Sequence, residues 1–175
     1  MHIGLIGGIG PAATDVYYRK LVALAQVEGH TLEMTVVHAD APTLLANLDA
    51  GRVAEQCAIF EGLTRRLAAA GAGAVAITAV AGHFCIDAFE RASPLPVLNL
   101  ITSLADHLTA EGIRRVGVLV TRAVMSSGFY GKLSGIDVIA PEAEALDTVH
   151  QAYVTLAQTG VATRQMRGVF DAAAT

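Results

Sequence analysis

Six short apolar runs, separated by longer segments with helical spacing, restrict this chain to very few folds. "HIGLIG" (2–7), "LEMTVVHA" (32–39), "AVAITA" (74–79), "PVLNLI" (96–101), "RVGVLV" (115–120) and "IDVIA" (136–140) read as strands. Their hydrophobicity is nearly continuous, not alternating, as in parallel strands covered on both faces. Helical patterns lie near 11–28, 52–70, 83–91, 102–111, 126–133, 142–159 and 161–173. Pro11 suits a first helical turn, and Gly71, Gly112, Gly135 and Gly160 suit helix ends. Alternation of this kind predicts an α/β protein with parallel sheets flanked by helices. With 53% hydrophobic and 16% charged residues, the 175 positions supply core enough for one large domain or two small ones.

The chain also repeats itself. "GLIGGIGPAATDVYYRKL" (4–21) is similar to "GVLVTRAVMSSGFYGKL" (117–133) with one gap, pairing Tyr17 and Tyr18 with Phe129 and Tyr130. The repeat predicts two pseudo-symmetric α/β lobes, residues 1–98 and 99–175. Ala79 lies 75 positions after Gly4, and 75 positions after Gly117 is position 192, beyond Thr175. The second lobe is therefore expected to be incomplete, without its last strands. A chain stopping at "VFDAAAT" inside a helical pattern is expected to be a shortened one.

A formal charge of −4 with no basic cluster argues against a nucleic-acid partner. No apolar run approaches the roughly 20 residues that span a bilayer, and the N-terminus reads as a strand without a basic leader. The expectation is a soluble cytoplasmic chain with no membrane partner. Cys57 and Cys85 are too few for a disulfide framework and have no metal-type spacing, so no metal site is expected. Both fall in helical patterns, where a free cysteine acts as a small buried hydrophobe.

Several strand ends carry candidate chemistry. "GGIGPAAT" (7–14) is a glycine-rich turn at a helix start, where free amides and the helix dipole attract anions. Gly8 and Gly10 fit neither a dinucleotide fingerprint nor a Walker loop, and Pro11 removes a donor. A small-carboxylate site and a purely structural tight turn both fit. Asp40, between a strand and Pro42, can bind a ligand ammonium or cap the next helix. His38 reads as an interior strand residue. His83, after Gly82, is a general acid/base candidate or a structural first-turn group. Arg122, after the strand at 115–120, can hold a carboxylate or lie on the surface.

"IGLIGGIGPAATDVYYRKLV", "AGAGAVAITAVAGH", "TRAVMSSGFYGKL" and "IDVIAPEAEALDTVHQAY" together resemble the aspartate racemase branch of the aspartate/glutamate racemase superfamily. The resemblance runs in order through essentially the whole chain. It implies cofactor-independent racemisation of an aspartate- or glutamate-like amino acid in a cleft between two lobes, by a homo-oligomeric isomerase. One thiolate removes the Cα proton and a thiol on the opposite face returns one. A helix N-terminus lowers each thiol's pKa, and donors around the cleft hold the ligand's carboxylates.

The departures from that pattern fall at its working positions. The family's first turn is Cys-Asn-Thr-x-His; aligned on His83, these positions hold Ala79, Val80 and Ala81. Thr78, one residue earlier, offers a hydroxyl without basicity. The second-half turn retains Thr121, Arg122 and Met125, but its carboxylate-binding Thr is Val124. A family Arg falls near Leu44, and the second catalytic Cys falls beyond Thr175. Three readings follow: an impaired racemase, a non-catalytic small-carboxylate-binding or assembly protein on the same scaffold, and a one-base decarboxylase of malonate-like acids.

Overall fold

A computed structural model describes residues 1–8 and 10–174; Ile9, inside the glycine-rich turn, and Thr175 lie outside the described residues. Parallel strands are flanked by helices, as the alternation predicts. The chain divides into two compact units, Met1–Asn99 and Leu100–Thr175.

The first unit is built on the strand order β2-β1-β3, with β1 at His2–Gly7, β2 at Glu33–His38 and β3 at Ala74–Ile77. Helix α1 spans Pro11–Val27, α2 Ala41–Asp49, α3 Val53–Ala69 and α4 Ile86–Ala92. All strand pairs are parallel, with Leu5 opposite Val36 on one side and Ala76 on the other. The central strand is buried on both faces, which is why its sequence does not alternate. Helix α3 lies so close to β1 that a Cβ at Gly4 would stand 2.9 Å from Leu67 Cδ1. Phe60 of α3 and Phe89 of α4, both fully buried, meet edge to face with centroids 5.5 Å apart. Asn47 donates to Gln56 at 2.9 Å and accepts from Arg52 at 2.9 Å, fastening α2 to α3.

In the second unit, α5 (Leu100–Ala110) precedes β4 (Arg115–Gly117), which pairs in parallel with β5 (Asp137–Ile139). Short α6 (Arg122–Ser126) follows β4; α7 (Ala143–Thr159) and α8 (Arg164–Ala173) follow β5. Val124, Met125, Phe129, Leu133 and Val149 supply buried apolar side chains.

Three segments differ from the sequence reading, the first being α2, a helix at Ala41–Asp49 where no helical pattern was read. Residues 96–101 form no strand: a single bridge joins Val97 to Val75, and α5 begins at Leu100. Pro96 accepts from Val75 N–H but has no N–H for the preceding bond, and on the other side α5 takes the chain out of the sheet from Leu100. The expected helix at 126–133 breaks after Ser126. Gly128 is left-handed at φ 56°, and Phe129 and Tyr130 follow at 57° and 59° in a 3-10 turn. The Ser127 hydroxyl stabilises the break, donating to Ala123 O at 2.6 Å and accepting from Tyr130 N–H at 3.0 Å. Their counterparts Tyr17 and Tyr18 sit on the regular helix α1, so the repeated letters do not repeat a conformation here.

Candidate functional site

At the C-terminal end of β3 the chain passes through Thr78 and Ala79 into a 3-10 turn, Val80–Cys85. Ala79 is extended and buried, Val80 is half-buried, and Ala81, Gly82 and His83 are buried. Packing explains the glycine. A Cβ at Gly82 would stand 3.0 Å from Ile77 Cγ2 and 3.2 Å from Phe60 Cζ, with Leu44 Cδ1 at 3.5 Å. Leu44, at the position resembling a family Arg, is fully buried in that same core.

Thr78 has no hydroxyl to spare. Its Oγ1 donates to Ile6 O at 3.2 Å and lies 3.0 Å from Thr14 Oγ1, which accepts from Gly8 N–H at 3.2 Å. With the Thr78 proton on Ile6, Thr14 donates to Thr78, and the chain Gly8–Thr14–Thr78–Ile6 is closed. It ties the glycine-rich turn to the end of β3.

His83 Nδ1 lies 2.9 Å from Ala79 O, which can only accept, so Nδ1 carries the proton and Nε2 the lone pair. Nε2 is buried with no hydrogen-bond partner among the described residues. Burial holds the imidazole below its ordinary range, so it is neutral. Neither thiol is a substitute base. Cys85 Sγ lies 3.5 Å from Gly82 O, and burial pushes its pKa up to about 12. Burial also raises Cys57, reinforced by Glu61, whose Oε1 lies 3.9 Å from its Sγ. Both cysteines are buried, as small hydrophobes should be.

The neighbouring strand ends are more open. Gly8 has φ 93°, and a Cβ there would run into the His38 ring and stand 2.6 Å from Ala39 O. Gly10, at φ 99°, precedes Pro11 at the head of α1, where no side chain caps the helix. A shallow depression of about 340 Å³ is lined by Gly7, Gly8, Thr14, Asp15, Tyr18 and His38, among others. His38 is exposed, contrary to its reading as an interior residue, because it is the last residue of an edge strand. Asp40 takes its capping role: Oδ2 accepts from Thr43 N–H at 2.9 Å and Thr43 Oγ1 at 2.6 Å. Those two bonds lower its pKa.

In the second unit, Thr121 and Arg122 head α6. Val124 and Met125 point their apolar bulk into the core and offer a ligand nothing polar. The Thr121 hydroxyl is buried without a partner among the described residues. Arg122 is gripped twice by α7: its backbone N–H donates to His150 Nδ1 at 3.1 Å, and its Nη2 lies 2.7 Å from Asp147 Oδ1. Thr14, Asp147 and His150 were not singled out in the sequence. Thr14 stood inside a quoted motif, and Asp147 and His150 share a helix face at i, i+3. The described residues contain no cluster of metal-ligating side chains, and no helix among them is long and apolar enough to cross a membrane.

Within the second unit, Thr121 and Arg122 bring a hydroxyl and a guanidinium together at the head of α6. Within the first unit, Ala79 at the end of β3 offers only a buried methyl group.

Comparison with known proteins places this geometry. The sequence profile of the Asp/Glu/Hydantoin racemase family matches residues 6–175. The fold is similar to that of a candidate Asp/Glu racemase from Yersinia pestis, at 24% identity and TM-score 0.80, over 98% of this chain and 78% of that one. An aspartate racemase homologue from Pyrococcus horikoshii OT3 matches at 24% identity and TM-score 0.71, over 86% of this chain and 68% of that one. Aspartate racemase from Picrophilus torridus matches at 22% identity and TM-score 0.77, over 98% and 74%.

Proposed function

This chain belongs to the Asp/Glu/hydantoin racemase family, and on that premise we propose that it binds a small carboxylate or amino acid but is impaired in racemising it. The observation that carries this reading is the turn after β3. Racemisation needs a base that takes the Cα proton while the bond's electron pair passes into the adjacent carboxylate. Ala79 has no atom to accept that proton. Thr78 donates its own to Ile6, and the thiols of Cys57 and Cys85 are buried in the protonated form. Losing one acid/base partner costs about 10²- to 10⁴-fold in rate.

Ligand holding falls to what is left. Within the first unit the glycine-rich turn offers the Gly10 amide, since that of Gly8 is spent on Thr14; within the second, Thr121 and Arg122 offer a hydroxyl and a cation. Residues 1–98 and 99–175 act as the two lobes, without a cofactor, in a cytoplasmic homo-oligomer. The test follows optical rotation of L-aspartate in the presence of the purified chain, alongside calorimetric titration with malonate and L-aspartate. Saturable binding without loss of rotation is expected. Loss of rotation at enzymatic rates, or no binding of either ligand, overturns the reading.

A further inference from the structure

Arg122 is the single cationic residue in the turn at 118–126, and it is already paired. Asp147 Oδ1 lies 2.7 Å from its Nη2, although the two residues are 25 positions apart, at the head of α6 and in the first half of α7. His150, one turn further along the same face of α7, accepts from the Arg122 backbone N–H at 3.1 Å. Beside this pair stands the Thr121 hydroxyl, buried and without a partner among the described residues. A residue at the N-cap position usually spends its hydroxyl on its own helix; Thr121 makes no such bond. The turn thus combines an unspent hydroxyl with a guanidinium whose charge a resident carboxylate cancels.

Resting on the carboxylate-holding role proposed for Arg122, we infer that Asp147 sets how strongly this turn takes anions, acting as an internal carboxylate that neutralises Arg122. A ligand carboxylate approaching Arg122 meets the negative charge of Asp147 as well as the guanidinium. Five N–H donors allow Arg122 to serve two carboxylates, but the second arrives against like-charge repulsion. Both side chains are about half exposed, 52% for Arg122 and 59% for Asp147, so solvent moderates the effect. His150 keeps the backbone of the turn against α7 while the side-chain pair rearranges.

Asp147→Asn isolates the charge, because the amide oxygen still accepts from the guanidinium. Malonate affinity is measured by calorimetry at several salt concentrations for the native chain, Asp147→Asn, Asp147→Glu, Arg122→Gln and the Arg122→Gln/Asp147→Asn double variant. The expected result is about a three- to fivefold lower Kd for Asp147→Asn, with a steeper salt dependence. Asp147→Glu should restore native affinity, and Arg122→Gln should weaken binding by about threefold in the native background but about tenfold in the Asp147→Asn background. Unchanged or weaker binding by Asp147→Asn, while Arg122→Gln still weakens it, overturns the role of Asp147 alone. Unchanged binding by Arg122→Gln overturns the role of Arg122 and the inference with it. Circular dichroism on each variant separates lost binding from lost fold.

Discussion

The His83 imidazole donates from Nδ1 to the carbonyl oxygen of Ala79, 2.9 Å away, and both residues are buried. The group that looked most like an acid/base candidate is spent on holding the turn after β3. Its Nε2, buried and unpartnered among the described residues, must stay unprotonated for the turn to keep its place.

That relationship fixes a pH dependence. The folded-state pKa of His83 lies below the ordinary 6.5, chiefly through burial. Below about pH 6.5 the unfolded chain therefore binds the proton more readily than the folded one. The contribution of neutral His83 is fully present above the unfolded pKa and is lost as pH falls through the folded value. Urea unfolding at pH 7.5 and 5.5 should show stability dropping on acidification, and a smaller drop in His83→Gln. Equal drops in both proteins contradict the assignment.

The Thr14–Thr78 bond ties two turns together, so its loss should be felt in both. Thr78→Val keeps the shape but removes the hydroxyl, leaving Thr14 without its acceptor and Ile6 O with one donor fewer. A loss of about 1–3 kcal/mol in chemical denaturation is expected, with Thr78→Ser close to native. A neutral Thr78→Val contradicts the closed chain of donors.

Leu44 is core, and restoring the arginine that the family pattern suggests there should not restore a site. Leu44→Ala is expected to cost about 2–5 kcal/mol. Leu44→Arg should cost more, because a guanidinium would enter an apolar cluster without a partner. Thermal unfolding of both variants measures this. A folded, fully stable Leu44→Arg contradicts the packing.

Neither thiol should behave as a nucleophile. Ellman's reagent at pH 7.5 is expected to find no fast-reacting thiol in the native chain and both cysteines in denaturant, since Cys57 and Cys85 are buried with raised pKa values. Rapid modification of Cys85 in the native protein contradicts its placement.

Much of the fold was legible because burial leaves a direct mark on sequence. Runs such as 2–7 lack alternation, and a strand buried on both faces is what produces that. The run 96–101 carries the same mark for another reason: Val97 makes the lone bridge, while Ile101 is buried from a helix. Six apolar letters do not separate those cases. At the candidate site, the motif pattern singled out Ala79 and His83 but not what they touch. The Thr14–Thr78 and Arg122–His150 contacts span 64 and 28 positions, and only the folded backbone brings them together. Gly128 and Ser127 could have signalled the break in the expected helix at 126–133, since a glycine after a serine is turn chemistry.

The central claim is that the turn at Ala79 cannot take a proton from Cα. Its most direct test is proton NMR of L- and D-aspartate and L- and D-glutamate incubated with the purified chain in deuterium oxide. Cα–H intensity that stays level with a protein-free control is the result predicted. Decay of that signal at an enzymatic rate, for either enantiomer of either acid, contradicts it.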